Sequence, residues 1–204
     1  MNRFYSAGLA TTLLFTLITI ACPDEPPKSD KKAAAKTVKV EAGDITLNVP
    51  ESWKQKARSG LRVAEFEVPP AGDDKEPGEF VVFFFGKNQG GSVPDNAKRW
   101  IGQVEEEGRK VRIVCGESSN GKYTTVDLTG AYNKSVGPPI AKKSKRLPGW
   151  RVINVALETK AGTYFLKLDG PAKTIAAIES DFRTAYGGKS DSEKETKVED
   201  LRAE

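Results

Sequence analysis

The sequence predicts an α+β domain: a central, mostly antiparallel sheet with helices packed on its faces, following an N-terminal signal. Three observations lead there. Alternating apolar segments come in pairs around short polar turns, as β-hairpins do. Two other segments carry apolar residues at helical spacing. One further strand, EFVVFFFG (79–86), is apolar throughout, as expected where both faces of a sheet are covered.

The chain starts with a different pattern. Arg3 is the only early charge, and Ala7 to Ala21 is uncharged and rich in Leu, Ile, Ala and Thr. A positive n-region followed by an apolar h-region is the layout of a secretory signal, here residues 1–21. The apolar stretch is shorter than the roughly 20 residues that span a bilayer. Thr19-Ile20-Ala21-Cys22 resembles the lipobox of bacterial lipoproteins, in which the signal is cut before a Cys that receives diacylglycerol. An ordinary cleaved signal and a membrane-spanning anchor are the alternatives. Acyl chains on Cys22, each contributing ~0.8 kcal/mol per buried methylene, would make the lipid bilayer the first partner of the protein. Its expected place is then the extracytoplasmic side of the cell membrane or outer membrane. Pro23 and Asp24, where sorting signals are read, leave the choice open.

Residues 22–36 comprise the lipidated Cys and a flexible tether, PDEPPKSDKKAAAK, with three prolines and no helix or strand period. Its reach is roughly 20 Å. Residues 37–188 form a single α+β domain. The final segment, 189–204, is charged, mixed in sign and almost free of large apolar residues, and reads as a disordered tail.

Within the domain the elements follow in order. TVKVEAGDITLNVP (37–50) is a hairpin turning at Ala-Gly-Asp. LRVAEFEVP (61–69) is a strand whose alternation slips by one residue, which suggests a bulge. AGDDKEPGE (71–79) is a polar loop before the apolar strand 79–86. In SVPDNAKRWIGQVEEEG (92–108), Ala97, Trp100, Ile101 and Val104 form one helical stripe; Ser92 or Asp95 caps its start and Gly108 closes it. KVRIVCGES (110–118) and KYTTVDLTGAY (122–132) flank an Asn120-Gly121 turn. NKSVGPPIAKKSKRLPG (133–149) reads as a long basic loop. WRVINVALETKAGTYFLKLDG (150–170) is a hairpin turning at Lys160 to Gly162. GPAKTIAAIESDFRTAYGG (170–188) is the last helix, with Pro171 at its first position and Ile175, Ile178, Phe182 and Ala185 on one face.

Composition narrows the chemistry. The chain has no histidine and a formal net charge of +4, which falls to +3 once residues 1–22 and their single charge, Arg3, are removed. So weak and dispersed a charge does not point to nucleic acid. The missing histidine excludes Ser-His and Cys-His nucleophile pairs, His metal ligands and His proton shuttles. Cys115 is the one thiol left after Cys22 is lipidated, so no internal disulfide forms. No catalytic residue, metal site or cofactor is expected.

The tempting residues each have a plain structural role beside the functional one. Trp100, next to Arg99, belongs to the core or to a binding edge. Asn96 and Gln103 cap neighbouring strands or meet a ligand. Gly90-Gly91 before a helix is a turn or an anion cradle. Asp73, Asp74, Glu76 and Glu79 make a solvated turn, or collect Ca²⁺ without the regular ligand spacing. Cys115 sits among Val111, Ile113 and Val114 as a buried thiol. Lys142, Lys143, Lys145 and Arg146 form the one dense charge cluster, a solvated loop or a patch that binds an acidic partner or a lipid head group.

Taken together, ITLNVPESW, GGSVPDNAKRWIGQ, VDLTGAY and GWRVINVALETKAGTYFLKLDGPAKTIAAIESDF resemble a family of uncharacterised secreted or lipidated proteins of planctomycetes and related bacteria. The resemblance spans about 43–186. More distantly, the order of elements is similar to the PsbP-type fold of photosynthetic extrinsic subunits, an antiparallel sheet between helices. The resemblance implies a fold and a location and brings no catalytic residues. The expected role is a non-catalytic interaction module docking on another envelope protein. A small-ligand or ion-binding lipoprotein and a histidine-free hydrolase-type enzyme are the alternatives.

Overall fold

In a computed structural model the described residues are 1, 35–58, 60–137 and 143–201. Residues 2–34, including Cys22 and most of the signal and tether, lie outside them, as does Lys142.

The α+β class is observed, and every strand pairing among the described residues is antiparallel. β1 (Thr37–Ala42) and β2 (Ile45–Pro50) form a two-stranded sheet of their own. The large sheet runs β10-β6-β7-β8-β9-β5-β4-β3. Its strands are β3 (Lys54–Gln55), β4 (Arg62–Val68), β5 (Gly78–Phe84), β6 (Lys110–Glu117), β7 (Lys122–Ser135), β8 (Ser144–Thr159), β9 (Gly162–Pro171) and β10 (Lys194–Thr196). Among the described residues, α1 (Val93–Ile101) and α2 (Ala172–Ala185) are the two α-helices. The slip foreseen in β4 is a register shift between Arg62 and Ala64.

Two separate apolar cores lie on the two faces of the sheet. On one face, β2 and α2 bury Ile45, Leu47, Ile175, Ile178 and Phe182 against Phe66, Phe80, Val155, Leu166 and Leu168. All four stripe residues of α2 are buried. On the other face, α1 brings Ala97 and Trp100 down onto Val126, Leu128, Val152 and Phe165. Strand periodicity of two explains the division: on β9, Leu166 and Leu168 point to the first core, and Phe165, Lys167 and Asp169 to the other face.

The structure corrects three expectations. The first helix ends at Ile101, with Gly102 as its cap, rather than near 108. Val104 then leaves the helix to make a β-bridge with Tyr132, so its burial comes from sheet contact. The expected basic loop 133–149 is largely ladder: β7 and β8 stay paired as far as Ser135 and Ser144. Between Tyr132↔Leu147 and Gly130↔Trp150, two residues of β8, Pro148 and Gly149, face one of β7, Ala131. That is a bulge, placed where Pro lacks a ladder donor and Gly149 adopts φ +69°. Last, residues 189–201 are not a disordered tail. β10 pairs with β6, and Val198 and Leu201 pack on the second core. Glu193 fastens the segment by accepting from Arg183 Nε at 2.7 Å and from the Tyr123 hydroxyl at 3.0 Å.

α1 is only nine residues long, too short to cover its whole face of the sheet. β5 and the residue after it show the result: Val81 is buried on that side, Phe83 half-buried and Phe85 exposed.

Candidate functional site

The site occupies the part of the sheet that α1 leaves open. Register places its floor in rows across the strands. Lys167 lies between Asn154 of β8 and Val81 of β5; Asp169 lies between Val152 and Glu79; Phe165 lies between Ala156 and Phe83. Asn154, Lys167, Asp169 and Glu79 therefore put polar groups on a face that is otherwise apolar.

The bulge supplies a wall. Asp169 is paired with Val152, and Val152 with Leu128 of β7. Lys134 is six residues beyond Leu128, about 20 Å along a straight strand. Yet Lys134 Nζ lies 2.8 Å from Asp169 Oδ2 and 2.8 Å from Glu79 Oε2. The β7–β8 ribbon therefore folds back over the sheet beyond the bulge. It carries Tyr132 with it, and the Tyr132 hydroxyl accepts a hydrogen bond from Lys167.

The charges form one network. Asp169, 1 % exposed, receives Lys134 and, at 3.2 Å, the Trp150 indole N–H on its Oδ2. Arg62 Nη1 lies 2.8 Å from Glu65 and 3.6 Å from Glu79. Burial opposes ionisation of Glu79, but the hydrogen bond and charge of Lys134, helped by Arg62 and Lys167, outweigh it and hold the carboxyl below its usual range. Burial would lower Lys134 as well, and its contacts with Asp169 and Glu79 raise it instead. For Lys167 burial wins. Its ammonium is 3.8 Å from Asp169 Oδ1, its side chain is 23 % exposed, and its pKa is pushed down. Burial, with Asp169 and Glu79 nearby, pushes Tyr132 far up, so its phenol remains protonated and serves as a hydrogen-bonding group rather than a base.

Two buried polar atoms here have no hydrogen-bond partner among the described residues: Asn154 Nδ2 and Asp169 Oδ1. Such groups are uncommon, each costing about 1–3 kcal/mol. Asn154 lines a cavity of about 270 Å³ whose other walls include Phe83, Phe85, Trp100, Phe165, Arg99 and Lys167. Phe85 and Trp100 both meet the Phe165 ring edge to face, at 5.8 and 6.2 Å between centroids. The arrangement can bind: it offers donors on one side and aromatic surface on the other. A groove of about 330 Å³ beside Cys115 lies under the C-terminal segment, but none of the unpaired buried atoms lines it.

The residues singled out in the sequence fall elsewhere, with four exceptions: Glu79, Arg99, Trp100 and Gln103 line the cavity. Lys143 and Lys145 are exposed near the far end of the folded-back ribbon. Arg146 is not free, because Glu105 accepts from its Nε at 2.8 Å and from its Nη2 at 2.7 Å. Asn96 donates to the Gly90 and Ser92 carbonyls, both at 2.9 Å, and so fastens the start of α1. Gly90 is small for packing: with φ +93°, a Cβ there would lie 2.5 Å from the Phe165 ring. The acidic loop does not converge. Asp73 lies 3.5 Å from Lys173, and Asp74 accepts from the Thr174 N–H at 2.8 Å and hydroxyl at 2.7 Å at the start of α2. Among the described residues no group of three or more Cys, Asp or Glu is placed to hold a metal ion. Cys115 is half-buried, 3.6 Å from the Thr124 hydroxyl. Sequence reading missed Lys134, Asn154, Lys167 and Asp169. The one available signal was Asn154, the lone amide inside the apolar run VINVAL.

No family model matches the chain, and no curated protein matches it. Among solved structures it is similar to PA94, a protein of unknown function from Pseudomonas aeruginosa. The identity is 13 % and the TM-score 0.40, over 74 % of this chain and 94 % of that one.

Proposed function

We propose that this chain is a lipid-anchored extracytoplasmic binding protein that holds a small molecule in the cavity over Lys167 without transforming it. The observation that carries the reading is Asn154. The residue is 1 % exposed, its Nδ2 is unpartnered, and it lines a cavity with aromatic walls. A few polar groups in a concave, partly apolar site is the usual composition of a ligand pocket, and about 270 Å³ lies just under the common range of about 300–1,000 Å³. A fragment screen read by the Trp100 indole NMR signal tests it. Fragments should move that signal in the wild type and fail to do so in Asn154→Leu. A screen in which no fragment moves it would reject the reading.

The anchor rests on the lipobox resemblance around Cys22. Among the described residues no helix is long and apolar enough to cross a membrane. Cys22→Ser should release the protein from the membrane fraction; a variant still bound after a carbonate wash would exclude lipidation as the anchor. The succession of strands, helix, hairpins and closing helix supports kinship with the planctomycete family and the PsbP-type fold.

Docking on another envelope protein is the second reading. It is favoured by the exposure of Lys143 and Lys145, which have no acidic partner among the described residues.

A further inference from the structure

We infer that the cavity takes a small organic anion, a carboxylate on an apolar body, with its charged head against Asn154, Lys167 and Arg99 and its body against Phe83, Phe85, Phe165 and Trp100. The inference rests on the ligand-binding reading above and names the ligand class.

Counting charges gives the sign of the head. The cavity wall holds Arg62, Arg99, Lys134 and Lys167 against one acid, Glu79. Two of these cations are already matched: Arg62 by Glu65 and Glu79, and Lys134 by Glu79 and Asp169. Lys167 is matched poorly, by a hydroxyl and by a carboxylate oxygen at 3.8 Å. Arg99 donates to the Asn96 amide oxygen and has no acidic partner among the described residues. Asn154 adds an N–H pair that nothing accepts. Asp169, whose Oδ1 is also unpaired, does not line the cavity, so what the cavity wall lacks is an acceptor, and a carboxylate supplies two oxygens for three donors. Asn154 and Lys167 are directly opposed across β8 and β9, so both can reach one head group.

The apolar side gives the body. Phe85 is 39 % exposed at the rim, a large ring left uncovered on one side. With Phe165 and Trp100 it forms a surface that favours a flat or aliphatic group.

The experiment uses full-length protein in detergent and matched triads of probes: phenylacetate, phenylacetamide and phenethylamine, then hexanoate, hexanamide and hexylamine. Binding is followed at the Trp100 indole signal and by calorimetry. A carboxylate should bind at least about tenfold more tightly than its amide, the size of one charge-assisted hydrogen bond. Lys167→Met and Asn154→Leu should remove that preference, and Lys145→Gln should leave it intact. Amides or amines binding as tightly as carboxylates would overturn the anionic head while leaving a ligand pocket. No probe of either triad moving the Trp100 signal would overturn the inference, and a wider fragment screen without response would overturn the pocket itself. The wild-type comparison does not depend on any variant folding.

Discussion

Arg151 on β8 holds Glu179 on α2 at 2.6 Å, and the same guanidinium reaches Asp127 on β7 at 2.6 Å. One side chain thus ties a helix to two strands. The chain of contacts continues: Glu179 meets Arg183 at 3.1 Å, and Arg183 meets Glu193 in the C-terminal segment at 2.7 Å. Replacing Arg151 by Met leaves two partly buried carboxylates facing each other. Breaking a buried pair costs about 3–5 kcal/mol. Glu179 keeps partial exposure and Arg183, so the expected loss is about 2–3 kcal/mol, read from urea unfolding with an unchanged slope. A midpoint equal to wild type would mean the contacts contribute nothing net.

Acid should unfold the protein through the same carboxylates. Burial opposes ionisation of Glu179, but hydrogen bonds and charge from Arg151 and Arg183 prevail and its pKa falls below the usual value. Glu79 behaves alike under Lys134. A native pKa below the unfolded value of about 4.3 stabilises the fold above that pH, and the stabilisation is lost as pH falls through the native value. Melting temperature should therefore drop below about pH 4.5. Glu179→Gln should melt lower than wild type at pH 7 and lose less between pH 5 and pH 3. Equal losses in the two proteins would assign acid lability to other groups.

Trp100 is 6 % exposed and meets Phe165 edge to face. Trp100→Ala should cost about 3–5 kcal/mol, as large-to-small core changes do. A thermal melt unchanged from wild type would show that α1 contributes little to the second core.

Ending the chain after Gly188 removes β10, Val198, Leu201 and Glu193 together. β6 then becomes the bare edge of the sheet, and free edges pair with other chains. Size-exclusion chromatography should show association that the complete chain lacks, and hydrogen exchange in β6 should rise. A monomeric, fully protected truncation would make the segment an ornament of the fold.

Much of this architecture was legible. Ile175, Ile178, Phe182 and Ala185 all lie on the buried face of α2, and the turns at Asn120-Gly121 and Lys160 to Gly162 are where the residue types put them. The site was not legible, for a physical reason. Lys167 and Asp169 alternate with Leu166 and Leu168, which is also how a strand with one wet face reads. Nothing local says that β7 will fold back and cover them; that follows from a bulge at Ala131, Pro148 and Gly149, in a stretch whose prolines and lysines resemble a loop. β10 was missed because three residues carry no period, and its order comes from partners in β6 and α2.

The pairing of β5 with β9 also sets a timetable. Glu79 meets Asp169, ninety positions later. A chain made from its N-terminus presents β3, β4 and β5 with one flank of β5 bare until the last hairpin arrives. Pairings so distant in sequence are reached slowly, because the intervening chain must be ordered before they are rewarded. Neither half of the large sheet is then a self-sufficient folding unit. The nascent protein stays unfinished almost to its end, with its sheet not yet locked shut.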